Sequence, residues 1–265
     1  MIKLLDSLSL LDGLSKAEPY TACLFEAEGA ALLSEPDLMD IWVELDEGGK
    51  PLSAIKVDSK KITLLCSGLP GMEMLFFITK LAEGGIKSIA CGEGALPVLE
   101  SLFPGRIEEL CFMRCSKPAE AEKPGFEIKV NENLDGVFEL LWNALEEGRA
   151  PSRELWMLKV RRGIAKGQTT VLTAEVDGKT VSTATIRGRT ANAGAISSVA
   201  TLPEYRRRGF ASDLTSACSK MLFDEHRESW LVPADENVRK LYEHLGFAPA
   251  GKCFILHLDK KEETK

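Results

Sequence analysis

The sequence predicts an α+β fold of α/β/α layers, in which helices flank a mixed, mostly antiparallel central sheet, and in which this arrangement is duplicated. The first half reads as β-β-β-α-β-α-β, and the second half repeats that order. The chain has 265 residues, a length that suits two domains of ordinary size. We therefore expect two copies of one fold.

The first half opens with three strand-like runs rich in β-branched and apolar residues, and the first two flank the turn sequence Asp46-Glu-Gly-Gly. A helical pattern then begins near Pro70 and closes at Gly84-Gly85. The predicted elements of this half are strands 39–45, 52–57 and 61–66, helix 70–82, strand 86–91, helix 96–103 and strand 107–113.

The second half begins with two helical patterns and then repeats the order of the first half. Its predicted elements are helices 131–145 and 151–165, strands 170–176, 179–187 and 193–201, helix 210–223, strand 230–232, helix 236–245 and strand 253–258. The stretch 116–125 has two prolines, four charges and no large apolar residue, which is typical of a connection between domains. We therefore predict domains 1–123 and 124–265.

The charge is distributed unevenly between the halves. Residues 1–123 hold 12 basic and 20 acidic residues, a net charge of −8, and residues 124–265 hold 21 and 20, a net charge of +1. The overall charge of −7 argues against a nucleic-acid partner, and the nearly neutral second half is the better binder of a polyanion.

Other features of the sequence argue against a membrane-spanning, secreted or metal-binding protein. No segment is long and apolar enough to span a membrane, and residues 1–16 lack the features of a secretory signal. The seven cysteines are scattered and predict reduced core residues in a cytoplasmic protein without a metal site. The three histidines have no motif spacing, so each reads as a surface or packing residue.

A turn with three consecutive arginines stands between a predicted strand and a predicted helix. The amino end of a helix carries partial positive charge and unpaired amides, so it favours anions and disfavours cations. Arginines at this place are therefore unfavourable for the helix itself. The small residues beside them let backbone amides approach a ligand. A solvated basic turn is the alternative. The pattern predicts a phosphate cradle made by Arg206, Arg207, Arg208, Gly209, Phe210, Ala211 and Ser212.

Two motifs in this half resemble those of a known family. The spacing Arg206-x-x-Gly209-x-Ala211 is similar to the Gln/Arg-x-x-Gly-x-Gly/Ala signature of the GNAT superfamily, the acyl-CoA-dependent N-acyltransferases. The strand 230–232 and the segment 237–247 resemble the next strand and helix of that family. The resemblance covers roughly residues 126–258. It implies a GNAT-like fold and transfer of an acetyl group from acetyl-CoA to a primary amine of a small molecule or peptide by direct attack.

The resemblance also assigns expected roles outside the cradle. Amides near Val199, Ala200 and Thr201 would pair with the pantetheine arm and polarise the thioester carbonyl. Asn237 would hydrogen-bond the pantetheine, with helix capping as the alternative. Tyr242 would be the general acid that protonates the departing thiolate. The alternative for Tyr242 is a core aromatic, because it shares a helical stripe with apolar neighbours.

The general base is missing from the expected place. Many family members have a glutamate on the central strand, where this sequence has Ser197 and Ser198. Glu175, Glu204 and Asp235 are conceivable substitutes, although each also reads as a surface residue. A protein that binds or senses acyl-CoA, or engages a partner, without turnover therefore remains the alternative function. The sequence identifies neither the acceptor nor the oligomeric state.

Two further expectations concern the surroundings of the site. Trp142, Trp156 and Met157 on the helical pair could line an acceptor pocket or pack in the core. When the halves are overlaid, Val98 falls opposite Tyr242 and the segment 67–71 replaces the arginine turn. The first half is thus expected to be a degenerate copy without a cradle or a tyrosine, which is structural or shapes the acceptor side.

Overall fold

The computed structural model describes residues 1–32, 40–58, 60–119, 124–144 and 152–259. Its contacts divide the chain into a first unit, Met1–Phe112 with Ala250–Lys265, and a second unit, Met113–Pro249. This division is not contiguous in sequence and differs from the predicted division at 123/124. Residues 120–123, at that predicted boundary, lie outside the described residues.

The first unit contains each element that the sequence predicts for the first half, preceded by a strand and helices that it does not predict. The helix Pro19–Leu32 went unpredicted because apolar residues are spread around it without helical periodicity. The elements are β1 Ile2–Leu4, a 3-10 helix Leu8–Leu11, α1 Asp12–Ser15, α2 Pro19–Leu32, β2 Asp40–Leu45, β3 Pro51–Asp58, β4 Lys61–Cys66, α3 Met72–Glu83, β5 Ser88–Gly92, α4 Leu96–Leu102, β6 Gly105–Cys115 as far as Phe112, and β12 Ala248–Leu258 from Ala250.

Strands β1 to β5 of the first unit follow one another in the sheet, and β12 lies beside β5. The pair β4 and β5 is parallel, from Lys61↔Ser88 to Thr63↔Ala90, and the pairs from β1 to β4 are antiparallel. Strand β12 pairs antiparallel with β5, from Cys253↔Gly92 to His257↔Ser88. The strand next to β5 therefore comes from the far end of the chain.

The second unit begins with a helical pair and continues with the repeated order of elements. Leu145 and Pro151, at ends of the two predicted helices, lie outside the described residues. The elements are Met113–Cys115 of β6, β7 Ile128–Val130, α5 Leu134–Ala144, α6 Arg153–Ala165, β8 Thr170–Val176, β9 Lys179–Arg189, β10 Ala193–Thr201, a 3-10 helix Pro203–Tyr205, α7 Phe210–Asp224, β11 Glu228–Leu231, α8 Glu236–His244 and the start of β12.

The sheet of the second unit has the order β7-β8-β9-β10-β11-β6. Its one parallel pair among the described strands is β10 with β11, and β11 pairs antiparallel with the end of β6, from Ser229↔Cys115 to Leu231↔Met113. Helix α7 packs against the sheet, and its Leu214 and Leu222 share a buried core cluster with Ile196. The predicted mixed, mostly antiparallel sheet flanked by helices is confirmed.

Candidate functional site

Strands β10 and β11 are paired only at their amino ends. Their register runs from Ala193↔Glu228 to Ala195↔Trp230, whereas β10 stays paired with β9 as far as Thr201. Two register shifts interrupt the pairing with β9 after Ala195, and Ser198 has a φ of 53°. Val199, Ala200 and Thr201 thus lie on a part of β10 beyond its register with β11. An extended ligand can be added as a strand at such a place.

The arginine turn follows β10 directly. Arg206 Nε donates a hydrogen bond of 3.1 Å to the Thr201 carbonyl oxygen. Arg208 Nη2 donates one of 3.1 Å to the Glu204 carbonyl oxygen, and its guanidinium lies 5.1 Å from the centre of the Tyr205 ring. Arg206, Arg207 and Arg208 are all exposed. Each guanidinium has five donors, so the two that bind the backbone keep others for an anion.

The first backbone amides of helix α7 have no side-chain cap. Gly209 precedes it with a φ of 87°, a conformation that glycine adopts readily. Among the described residues, no side chain accepts a hydrogen bond from the amides of Phe210, Ala211 or Ser212. Burial raises the pKa of Asp213, the acidic residue of the first turn. The predicted cradle residues therefore run from an exposed turn, residues 206–209, into the uncapped first turn of α7.

Helix α8 begins near an exposed asparagine. Asp235 caps the helix, because its side chain accepts a hydrogen bond of 2.9 Å from the Val238 amide. Asn237 lies in the first turn and is exposed. Since Asp235 performs the capping, the Asn237 side chain has no capping role, and its contact with pantetheine stays a prediction.

Tyr242 lies in the core of the second unit. It is 4% exposed, belongs to the cluster that contains Leu214 and Leu231, and its ring centre lies 5.8 Å from that of Phe247. This placement agrees with the core-aromatic interpretation of the ring. A role for its hydroxyl as an acid stays a prediction.

The three candidate bases have structural partners. Glu175 Oε2 lies 2.6 Å from Lys129 Nζ, and this contact lowers the pKa of the carboxyl. Glu204 lies 3.2 Å from Lys179 and its pKa is also lowered, by a backbone hydrogen bond and then by Lys179. Asp235 is the α8 cap. A lowered pKa makes a carboxylate a weaker base, so Glu175 and Glu204 are weak candidates, and the Asp235 carboxylate is engaged as the α8 cap.

Two buried polar atoms near the separation of β10 and β11 lack a hydrogen-bond partner among the residues that the structure describes. They are Ser197 Oγ and Trp230 Nε1. Trp230 pairs with Ala195 and Ser197 lies two residues further along β10, so their side chains are on the same face of the sheet. Trp230 could not be singled out from the sequence, because its only signal was a strand pattern. Both atoms are buried and have unused hydrogen-bonding capacity.

The helical pair α5 and α6 carries an aromatic cluster. The ring centre of Phe138 lies 5.6 Å from that of Trp142 and 5.5 Å from that of Trp156, and Trp142 is 52% exposed. Phe138 and Trp142 line an open cavity of about 480 Å³, and Met157 lines another of about 560 Å³. Met157 is buried and Trp142 is exposed at an open cavity, and a role of either residue in binding an acceptor stays a prediction.

The described part of the chain shows no group of three or more histidine, cysteine, aspartate or glutamate side chains placed to hold a metal ion. Within the same ranges, no helix combines the length and the apolar character needed to cross a bilayer.

Comparison with protein families identifies residues 134–247 with the acetyltransferase (GNAT) family. This segment runs from the start of α5 to Phe247 and includes the arginine turn and Tyr242. The family and the fold indicate acyl transfer from an acyl-CoA. A comparison with curated protein sequences found no significant match.

Several solved structures share the fold at low sequence identity. A tandem GNAT protein from the clavulanic acid biosynthesis pathway has a TM-score of 0.60 at 11% identity, covering 99% of this chain and 100% of its own. A Drosophila protein solved by a structural genomics consortium has a TM-score of 0.66 at 12% identity, covering 98% and 99%. A GCN5-related N-acetyltransferase from Kribbella flavida has a TM-score of 0.59 at 17% identity, covering 80% and 88%. Residues 134–247 therefore match the acetyltransferase (GNAT) family, and the chain shares its fold with solved GNAT structures.

Proposed function

We propose that the second unit binds acetyl-CoA and transfers its acetyl group to the primary amine of a small molecule or peptide. The observation that carries this proposal is the uncapped amino end of α7, directly after the arginine turn. Helix amides and guanidinium groups are the usual partners of phosphate oxygens. The unbridged cysteines of the described chain favour a reducing, cytoplasmic setting.

The proposed binding mode assigns each part of acetyl-CoA to one element. The pyrophosphate lies against the amides of residues 210–212 and the arginines of residues 206–208. The pantetheine runs as an added strand along Val199, Ala200 and Thr201, and the exposed Asn237 hydrogen-bonds it. Backbone amides of this stretch polarise the thioester carbonyl.

The proposed reaction is one direct displacement. The amine nitrogen attacks the thioester carbonyl carbon, a C–N bond forms, and the C–S bond breaks. The departing thiolate takes a proton from the Tyr242 hydroxyl, the amine nitrogen releases one to water, and a proton from water restores the tyrosine hydroxyl. The candidate carboxylates are engaged and Ser197 cannot act as a base, so the acceptor enters as a free amine whose pKa is lowered. The net products are an amide and CoA.

A second function is binding of acyl-CoA without turnover. The burial of Tyr242 and the lack of an unengaged carboxylate among the candidate bases favour it. The experiment incubates the full chain with acetyl-CoA and a panel of cationic, neutral and acidic amines, and follows CoA by chromatography and acetylated product by mass spectrometry. Product formation supports transfer. Binding without product for any amine supports the second function.

The substitution Tyr242→Phe tests the acid. Loss of a general acid lowers kcat by roughly 100-fold or more, whereas KM for acetyl-CoA changes little because the hydroxyl acts only on the departing thiolate. The phenylalanine ring keeps the core contacts, so Tm stays within a few degrees of the wild type. Steady-state kinetics with the best amine measures the effect. An unchanged kcat would show that Tyr242 is a core aromatic only.

A further inference from the structure

The first unit has a buried carboxylate at the amino end of α3, the helix that corresponds to α7. Glu44 on β2 is 3% exposed. Its Oε2 accepts hydrogen bonds of 2.8 Å from the Gly71 amide and 2.8 Å from the Ser53 hydroxyl, and its Oε1 accepts one of 3.1 Å from the Met74 amide. A Cβ at Gly71 would collide with this carboxylate. The α3 amino end thus closes around an anionic group.

The second unit has no such group at the same position of the sheet. Glu44 pairs with Ser53 and Ala174 pairs with Ser182, and in both units a register shift follows directly. Ala174, which is 0% exposed, is therefore the counterpart of Glu44, and an alanine cannot bind helix amides. This difference accounts for the uncapped amino end of α7 described above.

A second carboxylate of the first unit lies where β4 and β5 separate. The register of these strands ends at Thr63↔Ala90, as that of β10 and β11 ends after three pairs. Glu18 accepts hydrogen bonds from the Cys66 backbone and from Thr21, and burial raises its pKa to about 7. A Cβ at Gly92 would collide with it. Glu18 thus contacts the ends of both strands.

We propose that the first unit keeps the anion-binding helix end of the fold and fills it with its own Glu44 carboxylate, which takes the place of a coenzyme phosphate. Glu18 occupies the corresponding gap between strands in the same way. The first unit is therefore closed to acyl-CoA by its own side chains. The comparison with a coenzyme phosphate rests on the proposed function of the second unit, whereas the occupied helix end is testable without it.

The experiment measures Tm of the full chain with Glu44→Ala, in sodium formate and in sodium chloride at equal ionic strength. The truncation leaves amides of α3 and the Ser53 hydroxyl without their acceptor, and Tm falls by about 5 °C or more. Formate is a free carboxylate that fits the vacated space. It restores part of the lost Tm in a saturable manner, and it does not raise the Tm of the wild type to the same extent.

Two further variants make the result specific. Ile41→Ala removes a buried side chain from the same strand without removing an acceptor, so its Tm falls and formate does not restore it. Glu44→Gln keeps the shape but turns an amide NH₂ toward donors, so its Tm also falls and formate has no effect. A wild-type Tm for Glu44→Gln, or a formate response no larger than that of Ile41→Ala, overturns the proposal. If Glu44→Ala does not fold, the Glu44→Gln result decides.

Failure of the Glu44 proposal can be distinguished from failure of the proposed acetyl-CoA binding. The shift of Tm that acetyl-CoA causes through the second unit is expected to be equal in the wild type and in Glu44→Gln. Absence of that shift in both proteins would contradict the proposed function and leave the formate result standing.

Discussion

Expressed separately, residues 1–123 and 124–265 do not give two stably folded proteins, whereas the full chain does. The fragment 1–123 lacks β12, which pairs with β5 and supplies Phe254 and Leu256 to the buried core of the first unit. The fragment 124–265 lacks 113–115, which pair with β11, and the buried Met113 and Cys115. Losing such core residues costs about 2 to 5 kcal/mol each, a large part of the stability of a domain.

Circular dichroism, thermal unfolding and amide NMR spectra of each fragment measure this effect. Co-expression of the two fragments is the control, because together they supply every strand of both units. We expect cooperative unfolding from the co-expressed pair and broad, non-cooperative unfolding from each fragment alone. Two fragments that each unfold cooperatively, with dispersed spectra, would show that the sequence halves are independent domains.

Gly209→Glu abolishes the stabilisation by acetyl-CoA. A ligand at about 100 times its Kd adds about 2.7 kcal/mol to the free energy of unfolding, which is a rise in Tm of several degrees. The new side chain would bring a negative charge to the amides of 210–212, where the cradle requires a phosphate. It also strains a residue with a φ of 87°. The rise in Tm is therefore expected in the wild type and lost in the variant.

Gly178→Glu is the matched control. Gly178 lies in the turn between β8 and β9, has a φ of 79° and has no atom within 4 Å of a Cβ built there. The substitution adds the same charge and comparable backbone strain away from the cradle. It is expected to lower Tm while keeping the rise with acetyl-CoA. An equal rise in Gly209→Glu and in the wild type would place the ligand elsewhere.

The order of strands and helices was predictable because periodicity and turn residues are local signals. The pairing of β12 with β5 and of β6 with β11 was not, since the two strands of each pair lie more than 100 residues apart along the chain. The same limit explains why the predicted boundary at 123/124 differs from the division of the chain by its contacts. A polar linker indicates where the chain is exposed, but it does not indicate which unit the next strand joins.

The candidate site was predictable to a different degree at each residue. The arginine turn stood out because cations at a helix start are unusual, and Gly209 stood out because a small residue there lets backbone amides approach a ligand. Tyr242 could not be placed, because one helical stripe fits both a core aromatic and an acid. Glu44 gave no signal either. In sequence, Glu44 and Glu175 both precede a turn with an aspartate, yet the strand register makes Ala174 the counterpart of Glu44.

We expect one acyl-CoA to bind per chain, at the amino end of α7 in the second unit. Isothermal titration of the full chain with acetyl-CoA tests it most directly, with Gly209→Glu titrated in parallel. The expected result is a stoichiometry of one for the wild type and no binding heat for the variant. Two sites per chain, no site in the wild type, or one site that survives Gly209→Glu would contradict it.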